Sequence, residues 1–425
     1  MTPEIEKRIK AVQAGRIPAG YKKTKVGIVP KEWDVQSFGE ISFKTGRKKK
    51  KEEDYPVYSI NNQKGFCSQA EQFENDGYAN TSKDSYTLVE KDTFAYNPAR
   101  INIGSIGLLK EPDRVIISSL YVCFGLNKNC NLSFFESYFK SHRFNYDVSN
   151  YTEGSVRQYL FYDNFSKINV AIPPLSEQKK IAEILATQDR VIELKEKLIA
   201  EKQSQKKYLM SVLLGDDFKK PFKLNGVTID KKKWEKKEIG DICDTFSGGT
   251  PSRSHPEYFN GNIPWIKSGE LNQENIYETE EFLTKKGIES SSAKMVKKGT
   301  LLIAMYGATA GVLAVSHIDA AINQAILALI PNIDINPFYL KSAIANQIDV
   351  AVHRLVQGGQ PNFNASIINA FELRLPSLPE QKAIADVLSA ADEEISLLQK
   401  DLEQEKLKKK SLMQLLLTGL VRVKV

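Results

Sequence analysis

The sequence predicts an α+β fold in which two globular α/β domains alternate with two long α-helices. The first observation is an internal repeat, because "PPLSEQKKIAEIL" at Pro173 returns as "PSLPEQKAIADVL" at Pro376. The second is that both copies continue without proline or glycine after the Glu-Gln pair, as far as Gly215 and Gly419, which predicts two long helices. The third is that short strand-like runs such as "YPVYSI" and "KINVAI", bounded by Gly, Asn and Pro, precede the helices.

The repeat extends well beyond the helices. Glu177 corresponds to Glu380, an offset of 380 − 177 = 203, and "WDVQSFGEI" at Trp33 resembles "WEKKEIGDI" at Trp234. A repeat of this length indicates a duplicated domain rather than a solenoid unit. The N-terminal stretch "KRIKAVQAG" resembles the end of the first long helix, so the first repeat begins inside a helix that the last repeat can complete. The predicted segments are an N-terminal helical segment (1–20), a first globular domain (21–174), a central helix (175–215), a second globular domain (216–377) and a C-terminal helix (378–425).

Each long helix has an apolar stripe. In the second helix the stripe from Leu388 to Leu402 steps by three and four residues, which is the spacing of a coiled-coil seam. The stripe of the first helix is less regular, with Thr187 at one seam position. The two apolar stripes have matching lengths, which favours two helices that pack on each other. The alternative is that each helix folds independently onto its own domain. The residues predicted to pack are Ile184, Leu185, Val191, Ile192 and Leu198 in the first helix and Leu388, Ala391, Ile395, Leu398 and Leu402 in the second.

Composition is that of a globular protein with a mild basic excess. The 425 residues are 41% hydrophobic and 26% charged, and the net charge is 59 − 52 = +7. This excess permits a polyanionic partner without requiring one. The N-terminus mixes charges of both signs and has no apolar core, so no signal peptide is predicted. The most apolar window, 299–330, is interrupted by Gly307, Gly311, His317 and Asp319, which favours buried strands over a membrane span. A cytoplasmic location is therefore predicted.

Motifs for catalysis or metal binding are missing from the sequence. The four cysteines form no CxxC pair, the four histidines have no metal-site spacing, and neither a phosphate-binding loop nor a GxSxG elbow is present. We therefore predict no catalytic residue, no metal site and no cofactor in this chain. The cysteines are predicted to be buried or incidental thiols. "NPFY" at Asn336 is close to the Asn-Pro-Pro-aromatic motif of amino-methyltransferases. Asn336 as a helix cap followed by Pro337 as the first helical residue accounts for it better.

Two loops of the first domain have residues suited to DNA. Arg47, Lys48 and Lys49 in "TGRKKKKEED" suit phosphate contacts, although a solvated loop balanced by its own acidic residues is the alternative. The turn "SINNQKG" contains Asn and Gln, which can pair with the adenine edge, although an ordinary polar turn has the same composition. Candidate DNA-binding residues recur at similar places in both copies of the repeat. This recurrence supports DNA binding by the whole set rather than by any one residue. The remaining candidates are Asn61, Asn62, Gln63, Lys64, Tyr96, Arg100, Arg157 and Gln158 in the first copy and Arg253, His255, Lys267, Tyr306, Arg354 and Gln360 in the second.

Together these features resemble the specificity subunit of Type I restriction-modification systems. The resemblance covers essentially the whole chain and lies in the two Pro-x-Leu-x-Glu-Gln segments, the two Trp…Gly-Glu/Asp-Ile openings and the order globular–helix–globular–helix. It implies two target recognition domains, each reading half of a bipartite site in double-stranded DNA. It also implies an internal pseudo-two-fold repeat whose two helices form an antiparallel coiled coil that sets the spacer.

The same resemblance implies a division of labour among subunits. Two modification subunits are expected to dock on the helices and to provide S-adenosylmethionine and the methylating site. Restriction subunits are expected to add ATP- and Mg-dependent translocation and cleavage. Two other functions stay open: a stand-alone DNA methyltransferase or nuclease, against which the missing motifs count, and a coiled-coil scaffold that binds protein only, against which the basic and Asn/Gln-rich loops count.

Overall fold

The computed structural model describes residues 3–69, 85–153, 158–215, 220–355 and 363–424, with the side chains of 349–355 outside the description. The chain forms two compact units. Unit 1 comprises Met1–Glu196 with Asp401–Val425, and unit 2 comprises Lys197–Lys400. Because the division cuts both long helices, each unit contains one strand-rich domain, the first part of one long helix and the last part of the other.

Unit 1 is built on antiparallel strands covered by short helices. Its helices are α1 (Pro3–Gln13), α2 (Phe38–Ile41), α3 (Leu132–Phe139), α4 (His142–Tyr151) and α5 (Tyr162–Phe165). Its strands are β1 (Tyr21–Thr24), β2 (Gly27–Pro30), β3 (Asp34–Ser37), β4 (Ser42–Lys44), β5 (Arg47–Lys48), β6 (Tyr58–Asn61), β7 (Gly65–Ser68), β8 (Thr87–Glu90), β9 (Phe94–Tyr96), β10 (Ile106–Leu108), β11 (Arg114–Ile117), β12 (Val122–Leu126) and β13 (Asn169–Ile172).

The strands of unit 1 form a sheet ordered β10-β9-β12-β4, a second ordered β11-β8-β5, and the pairs β1-β2, β3-β13 and β6-β7. The core between the first sheet and the helices is strongly aromatic. Phe38 stacks on Phe165 with ring centroids 4.6 Å apart, and Phe94 stacks on Phe124 at 5.3 Å. Such ring pairs add specific geometry to the burial of large apolar surfaces.

Unit 2 has larger sheets and a more aliphatic core. Its helices besides the two long ones are α7 (Ile239–Ile242), α8 (Lys285–Glu289), α9 (Pro337–Leu355) and α10 (Ala365–Asn369). Its strands are β14 (Phe222–Leu224), β15 (Val227–Ile229), β16 (Glu235–Glu238), β17 (Cys243–Ser247), β18 (Phe259–Ile266), β19 (Asn275–Ile276), β20 (Glu281–Leu283), β21 (Lys294–Val296), β22 (Leu301–Ala304), β23 (Leu313–Ser316), β24 (Ala320–Ile322), β25 (Ile326–Pro331) and β26 (Glu372–Leu375). The sheets are ordered β17-β25-β22-β23-β19 and β20-β18-β24-β21, with the pairs β14-β15 and β16-β26.

The repeat is visible in how each domain meets its long helix. In unit 1 the strand after Trp33 pairs antiparallel with β13, which leads into α6 (Leu175–Leu214). In unit 2 the strand after Trp234 pairs antiparallel with β26, which leads into α11 (Leu378–Leu417). Each long helix has 40 residues. The predicted α+β class and internal repeat are confirmed.

The seam of α11 is confirmed and that of α6 needs a correction. All five α11 residues of the predicted stripe are buried or half-buried, and Leu185 and Ile192 of α6 also lie inward. Leu198 is 39% exposed, so its prediction as a packing residue is wrong. Ile184 and Val191 are half-buried on the flank of the seam. Inward-facing residues at alternating steps of four and three are Ile181, Leu185, Gln188, Ile192, Lys195, Ile199, Lys202, Lys206, Leu209 and Leu213 in α6.

Polar side chains of this seam fix the direction of the helix pair in unit 1. Gln188 of α6 donates from Nε2 to the backbone oxygen of Glu405 at 3.2 Å. Further along α6, the Lys195 ammonium pairs with the Asp401 carboxylate. Residue numbers rise along α6 as they fall along α11, so the helices are antiparallel, as predicted.

The same direction holds in unit 2. The Lys202 Nζ lies 2.6 Å from Glu394 Oε1, and Lys206 pairs with Asp392. These lysines bury their stems against the partner helix while their ammonium groups reach carboxylates at its edge. The α6 seam therefore contains cations as well as apolar residues.

Two negative findings accompany the fold. Over the described residues no helix is both long and apolar enough to span a bilayer. All four cysteines are buried in the described part of the chain and none forms a disulfide, and burial raises the pKa of the Cys123 thiol to about 12. The interpretation of the cysteines as buried thiols is confirmed.

Candidate nucleic-acid interface

The Glu-Gln pair at the start of each long helix anchors that helix to its domain. In unit 1 the buried Glu177 carboxylate accepts a hydrogen bond from Trp33 Nε1 at 3.0 Å. It also receives two bonds from the Arg422 guanidinium, at 2.7 and 2.9 Å, which raise the pKa of Arg422. In unit 2 the Glu380 carboxylate accepts from Trp234 Nε1 at 3.2 Å. The first-turn acid thus fixes the domain on the helix in both copies.

The neighbouring glutamine repeats this role. Gln178 donates to the Pro173 oxygen at 2.9 Å and accepts from the Asn131 backbone at 2.8 Å. Gln381 donates to the Pro376 oxygen at 3.0 Å and accepts from the Asn336 backbone at 2.8 Å. Both asparagines precede helices of their domains, α3 and α9.

Asn336 is a helix cap. Its side-chain oxygen accepts hydrogen bonds from the backbone N–H groups of Phe338 and Tyr339, both at 3.0 Å. This satisfies donors that the first turn of α9 would otherwise leave unpaired. The capping interpretation of "NPFY" is confirmed.

The basic loop after β4 is organised by one acidic side chain. Arg47 Nη1 donates to Glu53 Oε2 at 2.8 Å, and the backbone N–H of Lys50 donates to the same oxygen at 2.8 Å. The Arg47 hydrogen bond lowers the pKa of Glu53 to about 2. Lys49 donates to the Glu53 backbone oxygen at 3.1 Å. Lys48, Lys50 and Lys51 are exposed and, within the described chain, have no ion pair, so they are the cations of this loop most available to a phosphate.

The predicted turn between β6 and β7 lies beside the loop "NPARIN" (97–102), which contains the predicted residue Arg100. Asn61 Oδ1 accepts from the Gln63 backbone N–H at 2.7 Å, which shapes the turn and leaves Asn62, Gln63 and Lys64 exposed. A methyl group added at Gly104 would lie 3.6 Å from the Asn62 backbone oxygen. The turn therefore lies directly beside the "NPARIN" loop.

A third segment joins this edge. Arg100 is exposed in the "NPARIN" loop, and the Pro98 oxygen of that loop accepts from the Leu160 backbone N–H at 3.1 Å. Exposed Gln158 lies two residues before this contact. The structure thus brings Asn62, Gln63, Arg100 and Gln158 to one edge of unit 1, which we call the polar edge.

An aromatic pair at the polar edge was not found from the sequence. Tyr159 and Phe161 stack with centroids 5.8 Å apart and planes 5° from parallel, and Phe161 is 54% exposed. The sequence feature that could have indicated this pair is the alternation in "QYLFY". Leu160 lies in the core, whereas Tyr159 and Phe161 on either side of it do not. Unpaired bases of nucleic acids stack on exposed aromatic side chains of this kind.

Tyr96 requires a correction. Its side chain is fully buried against Phe124 and Phe165, with centroids 6.1 and 5.6 Å away. A residue in the core of the first sheet cannot touch DNA, and burial raises the pKa of its hydroxyl. All three residues of β9 are buried, so both faces of this strand are covered.

In unit 2 two predicted cations share one carboxylate. Arg253 Nη1 lies 2.8 Å from Glu281 Oε2, and Lys267 Nζ lies 3.0 Å from Glu281 Oε1. The Arg253 hydrogen bond lowers the pKa of Glu281, and the Glu281 carboxylate raises the pKa of Lys267. The Arg253 guanidinium also lies 4.6 Å from the centroid of the Phe259 ring. We call these residues the Glu281 cluster.

The remaining predicted residues of unit 2 are more dispersed. His255 stacks on Tyr258 at 4.8 Å and its Nδ1 lies 3.3 Å from Glu257. Tyr306 is half-buried and packs against the main core of unit 2. The side chain of Arg354 and the whole of Arg157 and Gln360 lie outside the described residues, so those predictions stay predictions.

Two polar residues near the Glu281 cluster were also missed. The Asn323 backbone N–H donates to the Ile266 oxygen at 3.1 Å, one residue before Lys267. Gln324, next in the chain, is exposed and hydrogen-bonded to Thr250. Gly248 permits this packing, because a methyl group there would lie 1.8 Å from the Ile322 oxygen. In the described part of the chain no group of three or more His, Cys, Asp or Glu side chains is arranged to hold a metal ion.

Comparisons with known proteins agree on one family. The family model described as the Type I restriction modification DNA specificity domain matches twice, at residues 30–202 and 231–407. The putative type I restriction enzyme MjaX specificity subunit of Methanocaldococcus jannaschii is 26% identical over 95% of this chain and 97% of its own length. The EcoR124I/EcoR124II specificity subunit of Escherichia coli is 27% identical over 57% of this chain and 60% of its own.

Solved structures share the fold. One chain, from a study of complex assembly and conformational transition of the type I R-M system, aligns with a TM-score of 0.61. The alignment covers 92% of this chain and 99% of that one at 14% identity. The S subunit of a Type I restriction-modification system from M. genitalium aligns with a TM-score of 0.55 over 92% of this chain and 97% of its own at 15% identity.

Proposed function

We propose a function from the premise that this chain belongs to the Type I restriction-modification DNA specificity family, which matches it twice. The chain is a sequence-specific DNA-binding subunit, in which each strand-rich domain reads one half of a bipartite site. The double match is the observation that supports this most, since each copy contains one domain and part of the long helix anchored to it. A protein with two equivalent readers suits a target with two separated halves.

The polar edge of unit 1 supports direct reading. Asn and Gln side chains match the donor–acceptor pattern of adenine in the major groove, and Arg matches that of guanine. Asn62, Gln63 and Arg100 are exposed together there. Lys48 and the other exposed lysines of the basic loop would position the phosphate backbone without reading sequence.

The long helices are proposed to hold the readers and to bind the other subunits. By this proposal two modification subunits dock on the helices, and restriction subunits join that complex. The chain itself is non-catalytic and cytoplasmic, and S-adenosylmethionine, ATP and Mg belong to the partner subunits. The curated relatives named specificity subunits of type I restriction enzymes support this assignment.

The decisive experiment is to co-express the chain with its modification subunit and to map methylated adenines across a genome. A split motif methylated on both strands is expected, and exchange of residues 21–174 should change only one half of it. Methylation that is unchanged by the chain would contradict the proposal. If a gel shift with the complete complex also showed no affinity for duplex DNA, a protein-only scaffold would be the better assignment.

A further inference from the structure

A groove in unit 2 shares no lining residue with the Glu281 cluster. Its volume is about 860 Å³, and it is bordered by α6, α11, α9 and the edge of the five-stranded sheet. Ligand sites in proteins typically have volumes of roughly 300–1,000 Å³. The groove is therefore of a size that accepts one peptide segment or a small molecule.

Part of the groove wall is apolar. Met210 and Ile395 contribute from the helix pair, and Leu301 and Val315 contribute from the sheet. Phe338 stands on the rim with 58% of its surface exposed. An exposed aromatic residue beside a concave apolar surface is typical of a contact site for another molecule.

The rest of the wall is positively charged. Lys207, Lys298 and Lys341 line the groove, and in the described part of the chain none of them has an ion pair. The other lining lysine is neutralised by Asp392, which leaves Glu274 as the unpaired carboxylate of the wall. Three available cations against one carboxylate favour an acidic occupant.

We propose that this groove binds an acidic amphipathic segment of the modification subunit, an inference that rests on the proposed function. The occupant's apolar side chains would cover Phe338 and the wall, and its carboxylates would pair with Lys207 and Lys341. Such helix-in-groove binding combines apolar anchors with charge complementarity. Duplex DNA fits less well, because its backbone offers phosphates but no apolar side chains, and its major groove alone is about 12 Å wide.

The test is the affinity of the full chain for purified modification subunit, measured by titration calorimetry at low salt. The variant Lys207→Glu/Lys341→Glu should bind about tenfold more weakly or worse, since two attractive contacts become repulsive. Phe338→Ser should also weaken binding, and its loss should not depend on salt. The matched control is Lys223→Glu/Lys232→Glu, which changes the same charge at exposed positions of unit 2 outside the groove and should bind within about twofold of the unaltered chain.

The outcomes separate this inference from the function it rests on. If the groove variants bind the modification subunit like the control, the inference is wrong, while a split methylation motif would still support the proposed function. If the groove variants lose affinity for duplex DNA and keep that for the modification subunit, the occupant is DNA and the inference is overturned. If even the unaltered chain does not bind the modification subunit, the proposed function fails first and the inference fails with it.

Discussion

The carboxylate of Glu177 lies between the indole N–H of Trp33 and the guanidinium of Arg422, and so joins residues 144 and 245 positions away. The glutamate is 1% exposed. A buried carboxylate is tolerated only when its oxygens are fully hydrogen-bonded and its charge is paired. This one residue ties the start of α6, the first domain and the C-terminal segment of the chain into unit 1.

Removal of this carboxylate should destabilise unit 1. Glu177→Ala leaves the Trp33 N–H unpaired in the core and leaves Arg422 with Glu32 as its acidic partner, and we expect the free energy of unfolding to fall by about 2–3 kcal/mol. Urea denaturation followed by tryptophan fluorescence measures the change. Glu183→Ala, on the exposed face of the same helix, is the control and should cost less than about 1 kcal/mol. Equal losses for the two variants would refute the anchoring role.

The cap of α9 gives a second expectation. Asn336→Ser keeps a capping oxygen and should be nearly neutral, whereas Asn336→Ala should cost about 1 kcal/mol. Neither variant should alter adenine methylation by the complete complex beyond that loss of stability. Complete loss of methylation in a folded Asn336→Ser protein would instead favour the catalytic interpretation of "NPFY".

The antiparallel pair can be tested by charge exchange. Asp401→Lys places two cations together at the α6 seam and should lower the free energy of unfolding by about 1 kcal/mol. The double variant Lys195→Asp/Asp401→Lys should recover most of that loss, and a double-mutant cycle gives the coupling energy. Additive effects of the two changes would show that the pair does not interact.

The basic loop has a pH-dependent bridge. The pKa of Glu53 is about 2, below its ordinary value of 4.5, so the stabilisation from its bridge to Arg47 is fully present above pH 4.5 and is lost as the pH falls through about 2. In Arg47→Gln the pKa of Glu53 should return toward 4.5. Carbon-13 NMR titration of labelled glutamates measures both values. An unchanged pKa in the variant would mean that Arg47 is not the main cause.

The Glu281 cluster should restrain DNA binding. Glu281→Gln releases Arg253 from its carboxylate, whereas Lys267 keeps its ion pair with Glu280, so non-specific affinity for duplex DNA should rise. The slope of log affinity against log salt should steepen by about 1, because one phosphate contact becomes newly available. Glu289→Gln, at an exposed residue of the same unit, is the control. Fluorescence anisotropy over a salt series measures this slope. A slope equal to that of the unaltered chain would show that phosphates do not reach the Glu281 cluster.

The helix seams show how far the sequence alone can predict this structure. The α11 stripe was predictable because its central seam residues are apolar, from Leu388 to Leu402. The α6 stripe was misplaced because Lys195 and Lys202 occupy it, and a lysine is inward-facing only if a distant carboxylate receives its ammonium group. That carboxylate is about two hundred positions away, so the spacing of apolar residues within α6 cannot indicate it.

The candidate interface was predictable to a similar degree. Residue chemistry singled out Asn62, Gln63 and Arg100, and the structure places their loops side by side. It did not separate Tyr96 from them, because the local sequence does not show that both faces of strand β9 are covered. The exposed stack of Tyr159 and Phe161 depends on tertiary packing and was missed for the same reason.

Two ion pairs between α6 and α11, those of Lys195 and Lys202, distinguish the two halves of the chain. By the offset of 203, the counterpart of Asp401 is Leu198 and that of Glu394 is Val191. Two copies of the first half would therefore set Lys195 and Lys202 against aliphatic side chains instead of carboxylates. By contrast, the pairs Lys206–Asp392 and Lys409–Asp189 are related by the same offset of 203, so each half contains both partners. A doubled first half would therefore keep some charges of the helix pair matched and leave others without a partner.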